Sequence, residues 1–203
     1  MRSTFLRLGA IALGSQIAGA IKAVKYLDNF DHPPSGSILP LANAVDGTAG
    51  GALYYNAFGY ANLGTLENST LVTASPPYNI GSGVTAQAKE GAPGWRTMNS
   101  SVLYFDETSI YYACQAYDAT GDPAVGIPCT IQATGYKYGG GKPVTQKFVF
   151  TPSLNLPNKF AFGTFSSDFK GLVNVTLSIV PKLQQALTVI DHDSHSYTAY
   201  LKK

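Results

Sequence analysis

The sequence predicts an all-β protein, an antiparallel β-sandwich of jelly-roll type. Charged residues make up only 13% of the chain, whereas the exposed faces of helices need many Glu, Lys and Arg residues. After residue 20, no stretch of about ten residues or more keeps the 3.6-residue hydrophobic period of a helix. Short runs of alternating apolar and polar residues recur instead between Gly-rich and Pro-rich turns. This pattern is typical of a β-sandwich.

The first half of the chain gives the weaker strand signals. A first strand is expected at 22–30, where apolar and polar residues roughly alternate, and the Pro-rich run that begins at His32 ends it. The aromatic run 50–60 follows a glycine pair and indicates either a strand or a ligand-facing loop. A short strand at 71–73 stops before a Pro-Pro pair, and 78–98 is expected to be a long, irregular connection rich in Gly, Ala and Pro.

The second half of the chain gives clearer strand signals. The later strands are expected at 101–105, 109–114, 129–138, 144–150, 172–180, 187–190 and 197–201. The best hairpin signal joins the third and fourth of these, because both alternate strongly and only a short connection containing Gly139–Gly141 separates them. Asp106 and Glu107 fall between two of the expected strands and are expected to open a turn.

The first residues have the composition of a secretory signal peptide. Arg2 and Arg7 provide a positive charge, Leu8–Leu13 is a short apolar stretch, and Ala18–Ala20 forms an A-x-A cleavage signature. The apolar stretch is too short to span about 30 Å of hydrocarbon. We therefore expect cleavage after this signature and secretion of the remaining chain, without a membrane span.

The expected cleavage divides the chain into a signal peptide, 1–20, and a single domain, 21–203. The whole sequence contains 14 Lys and Arg residues and 12 Asp and Glu residues. Removing Arg2 and Arg7 leaves 12 basic residues against 12 acidic ones, a formal net charge of zero. This balance argues against nucleic acid and against anionic lipid as partners, because both are bound through an excess of basic residues. A monomer is expected.

Two features fit passage through an oxidising secretory compartment. Cys114 and Cys129 are the only cysteines, and a disulfide is the simplest use of such a pair. Asn68, Asn99 and Asn174 each begin an N-x-Ser/Thr sequon and are candidate glycan acceptors that would have to lie at the surface.

Several segments resemble a family of fungal secreted proteins, largely uncharacterised, whose jelly-roll fold is similar to carbohydrate-binding modules. The similar segments are Phe30-Asp31, Gly51–Phe58, Ser75–Asn79, Phe105-Asp106 with Ser109–Cys114, Cys129–Lys137 and Val189–Asp191. The stretch from Phe105 to Pro152 is the most specific. Tyr55 and Ala57 stand where the family has Trp and Asn. The resemblance implies the fold, secretion and the disulfide, and it implies no activity because fold alone does not determine function.

One short run could hold a metal ion. Asp191, Asp193 and His195 would share one face of a regular strand, and Asp31 could join them if the first and last strands pair. A structural calcium ion, which prefers oxygen ligands, is the candidate occupant, and no other cofactor is expected. The metal residues of this prediction are Asp31, Asp191 and Asp193, and the alternative is a polar turn.

No catalytic motif is evident. The sequence therefore leaves enzymatic activity open and favours a protein without catalytic activity. The candidate carboxylates for glycoside hydrolysis are Asp28, Asp31, Glu67, Glu90, Asp106, Glu107, Asp118 and Asp122. None of them lies in a recognisable catalytic context, and the G-x-S-x-G elbow of serine hydrolases does not occur.

The aromatic residues point instead to recognition of a ligand. Trp95, Tyr54 and Tyr55 are candidate rings for stacking on sugars, with Arg96 as a hydrogen-bond donor; burial in the core is the alternative for each ring, and exposure of Trp95 in a loop is left open. The leading expectation is a secreted, non-catalytic protein that recognises a glycan or a cell or host surface. The alternative is a secretory-pathway enzyme, of cyclase or isomerase type, that acts on a small molecule in a fungal biosynthetic route.

Overall fold

The computed structural model describes residues 20–31, 51–63, 70–117, 123–153, 156–182 and 187–203. The strands and the helix have the following bounds: β1 Ile21–Asp28, β2 Leu53–Asn56, β3 Gly59–Ala61, β4 Leu71–Val72, β5 Asn79–Ser82, α1 Val84–Glu90, β6 Gly94–Thr97, β7 Val102–Tyr117, β8 Pro123–Gly126, β9 Cys129–Lys137, β10 Val144–Phe150, β11 Asn158–Lys159, β12 Ala161–Thr164, β13 Leu172–Ile179 and β14 Thr188–Lys202. The expected signal peptide and the Asn68 sequon lie outside the described residues.

The strand pairs form two layers, which confirms the predicted all-β sandwich. One layer runs in the order β10-β9-β13-β6-β2, and every pair in it is antiparallel. In the other layer β14 pairs with β7 along one edge and with β5 and β1 along the other, while β3, β8 and β12 extend it. Among the described residues, Leu172 and Phe105 form the one cross-strand pair that joins the layers. The short β4–β11 pair is parallel and stands apart.

Alternation along the strands builds the core between the two layers. In β9, for example, Cys129, Ile131 and Ala133 are buried, whereas Thr130 and Gln132 are half-buried on the other side. The inward-facing residues of both layers form one continuous hydrophobic cluster, with Trp95 and Phe105 among its largest members. The predicted hairpin is confirmed as β9–β10, paired from Gly135 opposite Val144 to Cys129 opposite Phe150.

Two expectations about the elements are wrong. The segment 78–98 is not an irregular connection, because it contains β5, α1 and β6; the helix has only seven residues, too few for a hydrophobic period to be recognised. Asp106 and Glu107 do not open a turn, because β7 is continuous for 16 residues and pairs with β14 across this point.

The disulfide between Cys114 and Cys129 is confirmed. It joins β7 to the start of β9, with the two Cα atoms 6.2 Å apart, and both cysteines are buried. No helix among the described residues is both long enough and apolar enough to cross a membrane.

Candidate functional site

A row of four residues crosses the outer face of the β2–β6–β13–β9 layer. Tyr54 lies opposite Arg96, Arg96 lies opposite Asn174, and Asn174 lies opposite Tyr136. Directly opposed residues of antiparallel strands point to the same face. Strands lie about 4.8 Å apart, so this Tyr54–Tyr136 row spans about 14 Å.

The alternation of each strand explains why these side chains face outward. Tyr55, Trp95 and Val175 are the neighbours of row residues in β2, β6 and β13, and all three are buried. They are also in register with one another, so they form the inner counterpart of the row. The row itself is accessible, because Arg96 and Tyr136 are exposed and Tyr54 and Asn174 are half-buried.

A shallow pocket of about 200 Å³ opens beside the centre of this row. Its lining comprises Asn56, Ala92, Gly94, Trp95, Arg96, Asn174 and Thr176. Gly94 allows β13 to pass close by, because a Cβ atom at this position would lie 2.1 Å from the carbonyl oxygen of Val175. The pocket therefore depends on a glycine where the two backbones approach.

The polar groups of the pocket are amides, a hydroxyl and a guanidinium. The Arg96 guanidinium lies 5.1 Å from the centre of the Tyr54 ring, a distance at which a cation and an aromatic face attract. In the described part of the chain Arg96 forms no ion pair. Asn56 is held differently, since its Nδ2 donates to the carbonyl oxygens of Glu90 and Ala92. This arrangement leaves the Arg96 donors available to a ligand.

Two of the four predicted ligand-binding residues are not at the surface. Trp95 lies in strand β6 rather than in an exposed loop and is 0% exposed, and Tyr55 is also buried. The reason is the two-residue period of the strands, which turns each of them inward when Arg96 and Tyr54 turn outward. The structure thus separates the predicted set into a surface pair and a core pair.

The core pair belongs to a buried network of polar side chains: Asp28, Tyr55, Trp95, Glu107 and His195. These residues come from β1, β2, β6, β7 and β14, so the network crosses between the layers. Trp95 Nε1 donates to Glu107 Oε1 at 2.5 Å, and Glu107 Oε2 lies 2.6 Å from His195 Nε2. The network includes Asp28 and Glu107, two of the carboxylates that the sequence offers as candidates for glycoside hydrolysis.

The hydrogen bonds of this network assign a donor role to Tyr55 and constrain the tautomer of His195. Tyr55 donates its single hydroxyl hydrogen to Asp28 Oδ2 at 2.7 Å. The contact of 2.8 Å between Tyr55 and His195 Nδ1 then requires the imidazole to donate through Nδ1. His195 Nε2 and Glu107 Oε2, 2.6 Å apart, form the other hydrogen bond of this imidazole. Burial, followed by the charge of Asp28, raises the pKa of Tyr55 well above its usual value, which keeps the phenol protonated.

His192 lies beside the buried network but is not hydrogen-bonded to it. Its ring centre is 5.0 Å from that of Trp95 and 5.1 Å from that of His195, and Phe30 and Phe58 pack against it edge to face. Neither ring nitrogen has a hydrogen-bond partner. Burial, followed by the nearby His195, lowers the pKa of His192 well below its usual value, so this imidazole is neutral.

The predicted metal face is not formed as expected. A β-bulge in β14 shifts the pairing with β7 between Asp193 and Ser196, and Ser194 adopts a φ of 45°. The extra residue turns His195 to the side of His192, away from Asp191 and Asp193. The expectation that His195 shares their face is therefore wrong.

Protein groups donate hydrogen bonds to each of the three predicted metal ligands, and Oδ1 of Asp31 is buried without a partner. Asp191 accepts hydrogen bonds from Asn79 Nδ2 at 3.0 Å and Gln115 Nε2 at 2.8 Å. Asp193 accepts from the Ser75 backbone N–H, and Asp31 accepts from the Ser75 hydroxyl. Within the described ranges, no group of three or more His, Cys, Asp or Glu side chains is suited to hold a metal ion, and calcium binding stays a prediction.

Burial perturbs two of these carboxyl groups. It raises the pKa of Asp191 to about 7, against the effect of the hydrogen bonds from Gln115 and Asn79. It also raises the pKa of Asp193 to about 6, against the effect of the hydrogen bonds from Ser75 and Ser194.

Two predicted glycan acceptors are among the described residues. Asn99 is exposed in the turn before β7, and its Oδ1 accepts hydrogen bonds from the Ser101 backbone N–H at 2.9 Å and from the Ser101 hydroxyl. Asn174 lies in β13, in the centre of the Tyr54–Tyr136 row.

Sequence reasoning missed part of the site. The sequence indicates Tyr136 as a strand residue and Thr176 as the third residue of a sequon, and no pattern singles out Asn56. Their placement depends on which strands are neighbours, and the chain order does not reveal that β13 lies between β9 and β6. Alternation in 129–138 and 172–180 indicates which side chains share the polar, outward face of each strand, but not which strands lie side by side.

Comparison with known proteins finds a weak similarity to a solved structure. No family model matches the chain, and no curated protein matches it. The structure is similar to that of a DUF4465 family protein from Bacteroides caccae, with a TM-score of 0.46 and 14% sequence identity, over 74% of this chain and 80% of that chain.

Proposed function

We propose that this protein is a secreted, non-catalytic module that recognises a glycan through the Tyr54–Tyr136 row. The observation that carries the proposal is the cross-strand register of Tyr54, Arg96, Asn174 and Tyr136 beside a surface pocket. Aromatic faces at both ends of the row can pack on the CH faces of sugar rings, and the groups between them can bind hydroxyls.

The dimensions favour an oligosaccharide over a single sugar. The two tyrosines lie about 14 Å apart by strand spacing, so one sugar ring cannot contact both. Arg96 supplies several donors in a fixed planar array, and the Asn174 carboxamide supplies both a donor and an acceptor. A linear glycan lying across the strands would meet an aromatic ring, a polar centre and a second aromatic ring.

A glycan array, followed by calorimetry with the best oligosaccharide, tests the proposal. The chain should be produced in bacteria with an oxidising compartment, so that the disulfide forms without added sugars. Tyr54→Ala and Tyr136→Ala should each weaken binding about tenfold or more, which corresponds to about 1.4 kcal/mol. Phe162→Ala is the matched control, because Phe162 is 56% exposed and lies on β12 in the other layer.

Two results would contradict the proposal. One is an array without any bound glycan for folded protein, and the other is equal loss of affinity in Phe162→Ala and in the two tyrosine variants. The melting temperature of each variant shows independently whether it is folded. All three substitutions remove exposed or half-buried rings, so this temperature should be nearly unchanged.

A second candidate function is an enzyme of cyclase or isomerase type that acts on a small molecule. The buried site around Tyr55 and His192 favours it, because the pKa values of both side chains are displaced by burial and such displaced groups are common at active sites. His192 adds to this support, since its two ring nitrogens are unpartnered and a buried donor without a partner costs about 1–3 kcal/mol. A planar carbonyl compound that accepts a hydrogen bond is the ligand class that His192 would satisfy.

A thermal-shift screen tests this second candidate. Planar carbonyl compounds should raise the melting temperature of the wild type but not that of His192→Phe, which keeps an aromatic ring and removes both nitrogens. If no compound distinguishes the two proteins, His192 does not bind a ligand of this class and the candidate loses its support.

A further inference from the structure

We propose that Asn174 is N-glycosylated and that its first sugar covers Arg96 and Tyr136, the cross-strand neighbours of Asn174 in the Tyr54–Tyr136 row, so that the chain's own glycan is the first ligand of this face. The inference rests on the proposed function, because it takes the row to be a surface suited to sugar. It adds a modification that decides when a free glycan can bind.

The sequon has a geometry that folding can accommodate. Asn174, Val175 and Thr176 occupy consecutive positions of β13, so alternation places the first and third on one face. Val175 is buried in the core, whereas Asn174 and Thr176 both line the surface pocket. A sugar attached at Asn174 would therefore extend outward and would not disturb the packing between the layers.

The Asn174 carboxamide is also chemically available. Among the described residues no side-chain hydrogen bond engages it. At Asn99 only Oδ1 is engaged, by two hydrogen bonds from Ser101, the third residue of its own sequon, so its nitrogen is available as well. Asn174 thus presents a free nitrogen beside an open pocket.

The neighbours of Asn174 would receive the first sugar. Arg96 is its cross-strand partner on one side and Tyr136 on the other, and side chains in such pairs lie about 5 Å apart. Tyr136 is 39% exposed, so its ring can pack against an N-acetylglucosamine, while the Arg96 guanidinium can donate to a sugar hydroxyl or to the acetamide oxygen. The attached sugar and a free oligosaccharide would compete for the same groups.

The modification is a balanced transfer without redox change. Asn174 Nδ2 forms a bond to C1 of the first N-acetylglucosamine of a lipid diphosphate-linked oligosaccharide, the usual donor in the secretory pathway. The bond between C1 and the phosphate oxygen breaks, the lipid diphosphate leaves with the electron pair, and Nδ2 loses one proton. The sequon hydroxyl of Thr176 is present for this step.

Arg96 allows the shielding of the row by the attached sugar, called the cover below, to be measured without any ligand. The sequence has three arginines, and Arg2 and Arg7 precede the expected cleavage, so Arg96 is the only arginine from Ile21 onward. A guanidine-specific dicarbonyl reagent therefore reports on the centre of the row alone. Its reaction with Arg96 should be about tenfold slower in protein secreted from yeast than in unglycosylated protein from bacteria.

The experiment combines this rate with mass spectrometry of the peptide that contains Asn174. Secreted wild type should carry glycan at Asn174, whereas Asn174→Gln and Thr176→Val, which remove the sequon in two different ways, should not. Both variants should restore fast reaction at Arg96 when secreted from the same cells. Asn99→Gln is the control and should keep the slow reaction, because Asn99 lies in a different turn.

Several outcomes overturn the inference. Secreted protein with unmodified Asn174 refutes the modification, and a modified Asn174 with equally fast reaction at Arg96 refutes the cover. Free oligosaccharide should bind unglycosylated protein at least tenfold more tightly than glycosylated protein, and equal affinities would also refute the cover. If Arg96 is shielded and neither form binds free sugar, the proposed function fails while the modification and the cover are supported.

Discussion

Neighbouring residues of this protein have opposite environments, and Tyr54 with Tyr55 is the clearest case. The Tyr54 ring lies on the outer face against Arg96, whereas Tyr55 donates a hydrogen bond to Asp28 inside the core. The side-chain class is identical, so the sequence could not decide which ring is exposed. The difference comes from the strand period and from the register of β2 with β6.

Substitution of Trp95 should test this division directly. Trp95→Ala removes a fully buried ring and leaves Glu107 Oε1 without its donor, so the unfolding free energy should fall by about 3–5 kcal/mol. Tyr54→Ala, on the outer face, should change it by less than about 1 kcal/mol. Urea denaturation of both variants and the wild type measures the difference, and a Trp95→Ala protein of wild-type stability would contradict the core placement.

Asp191 should make stability depend on pH in an uncommon direction. Burial raises its pKa to about 7, so between pH about 4 and 7 the folded protein keeps a proton that the unfolded chain has lost. Stability then falls as the pH rises through this window, by at most about 1.4 kcal/mol per pH unit for one group. Below pH 4 and above pH 7 the contribution of Asp191 is constant.

The comparison of wild type with Asp191→Asn isolates this contribution. The variant cannot titrate at this position, so its unfolding free energy relative to wild type should increase from pH 4 to pH 7. Denaturation at a series of pH values measures both proteins under the same conditions. A constant difference between them across this window would show that Asp191 is ionised in the folded state.

At the scale of the elements, the prediction from sequence succeeded where local signals are strong. The β9–β10 hairpin is predicted because strong alternation flanks a run of three glycines, Gly139 to Gly141, and all three have positive φ in the structure. The extent of β14 was not predicted, because the bulge at Ser194 interrupts the alternation inside one continuous strand. The pairing of β13 with β6 is a long-range contact that no local pattern specifies.

Gly94 should be essential for the β6–β13 pairing. A methyl group at this position would meet the Val175 carbonyl oxygen at 2.1 Å, and backbone cannot move aside without breaking the pair. Gly94→Ala should therefore lower the melting temperature by about 5 °C or more, equivalent to about 1–3 kcal/mol of overpacking. Gly126→Ala is the matched control, since its nearest neighbour is the Leu71 side chain at 3.0 Å, and an equal loss in both variants would contradict the argument.

Removal of the disulfide should lower the free energy of unfolding about as much as Gly94→Ala does. The bond closes a loop between residues 15 positions apart, and such a constraint is worth about 3 kcal/mol in the chain-entropy model. The double variant Cys114→Ala with Cys129→Ala should unfold at correspondingly lower denaturant concentration. Labelling of free thiols in the unfolded, unreduced wild type gives an independent result, and reaction at both positions would contradict the bond.

At the scale of the whole molecule, the first strand begins directly after the expected signal-peptide cleavage site. Strand β1 begins at Ile21, directly after the expected cleavage, and pairs along its whole length with β14, ending with Asp28 opposite His195. Cleavage a few residues later would remove part of this pairing. Secretion itself remains a prediction.

Expression of the full sequence in yeast tests this prediction. The protein should appear in the medium with Ile21 as its first residue, as read by N-terminal sequencing, and with a mass that decreases after treatment with an N-glycosidase. A product that stays inside the cell, or one that keeps Met1, would contradict the signal peptide.

The position of the only tryptophan gives the protein an intrinsic optical probe. Trp95 is fully buried, and its ring centre lies 4.7 Å from that of His195 and 5.0 Å from that of His192. Its fluorescence should therefore emit at short wavelength in the folded state and shift to the red when the two layers separate. Because a single emitter reports on the contact between the layers, unfolding can be followed without a label, and distortion of the inner histidines should be visible as a change in intensity.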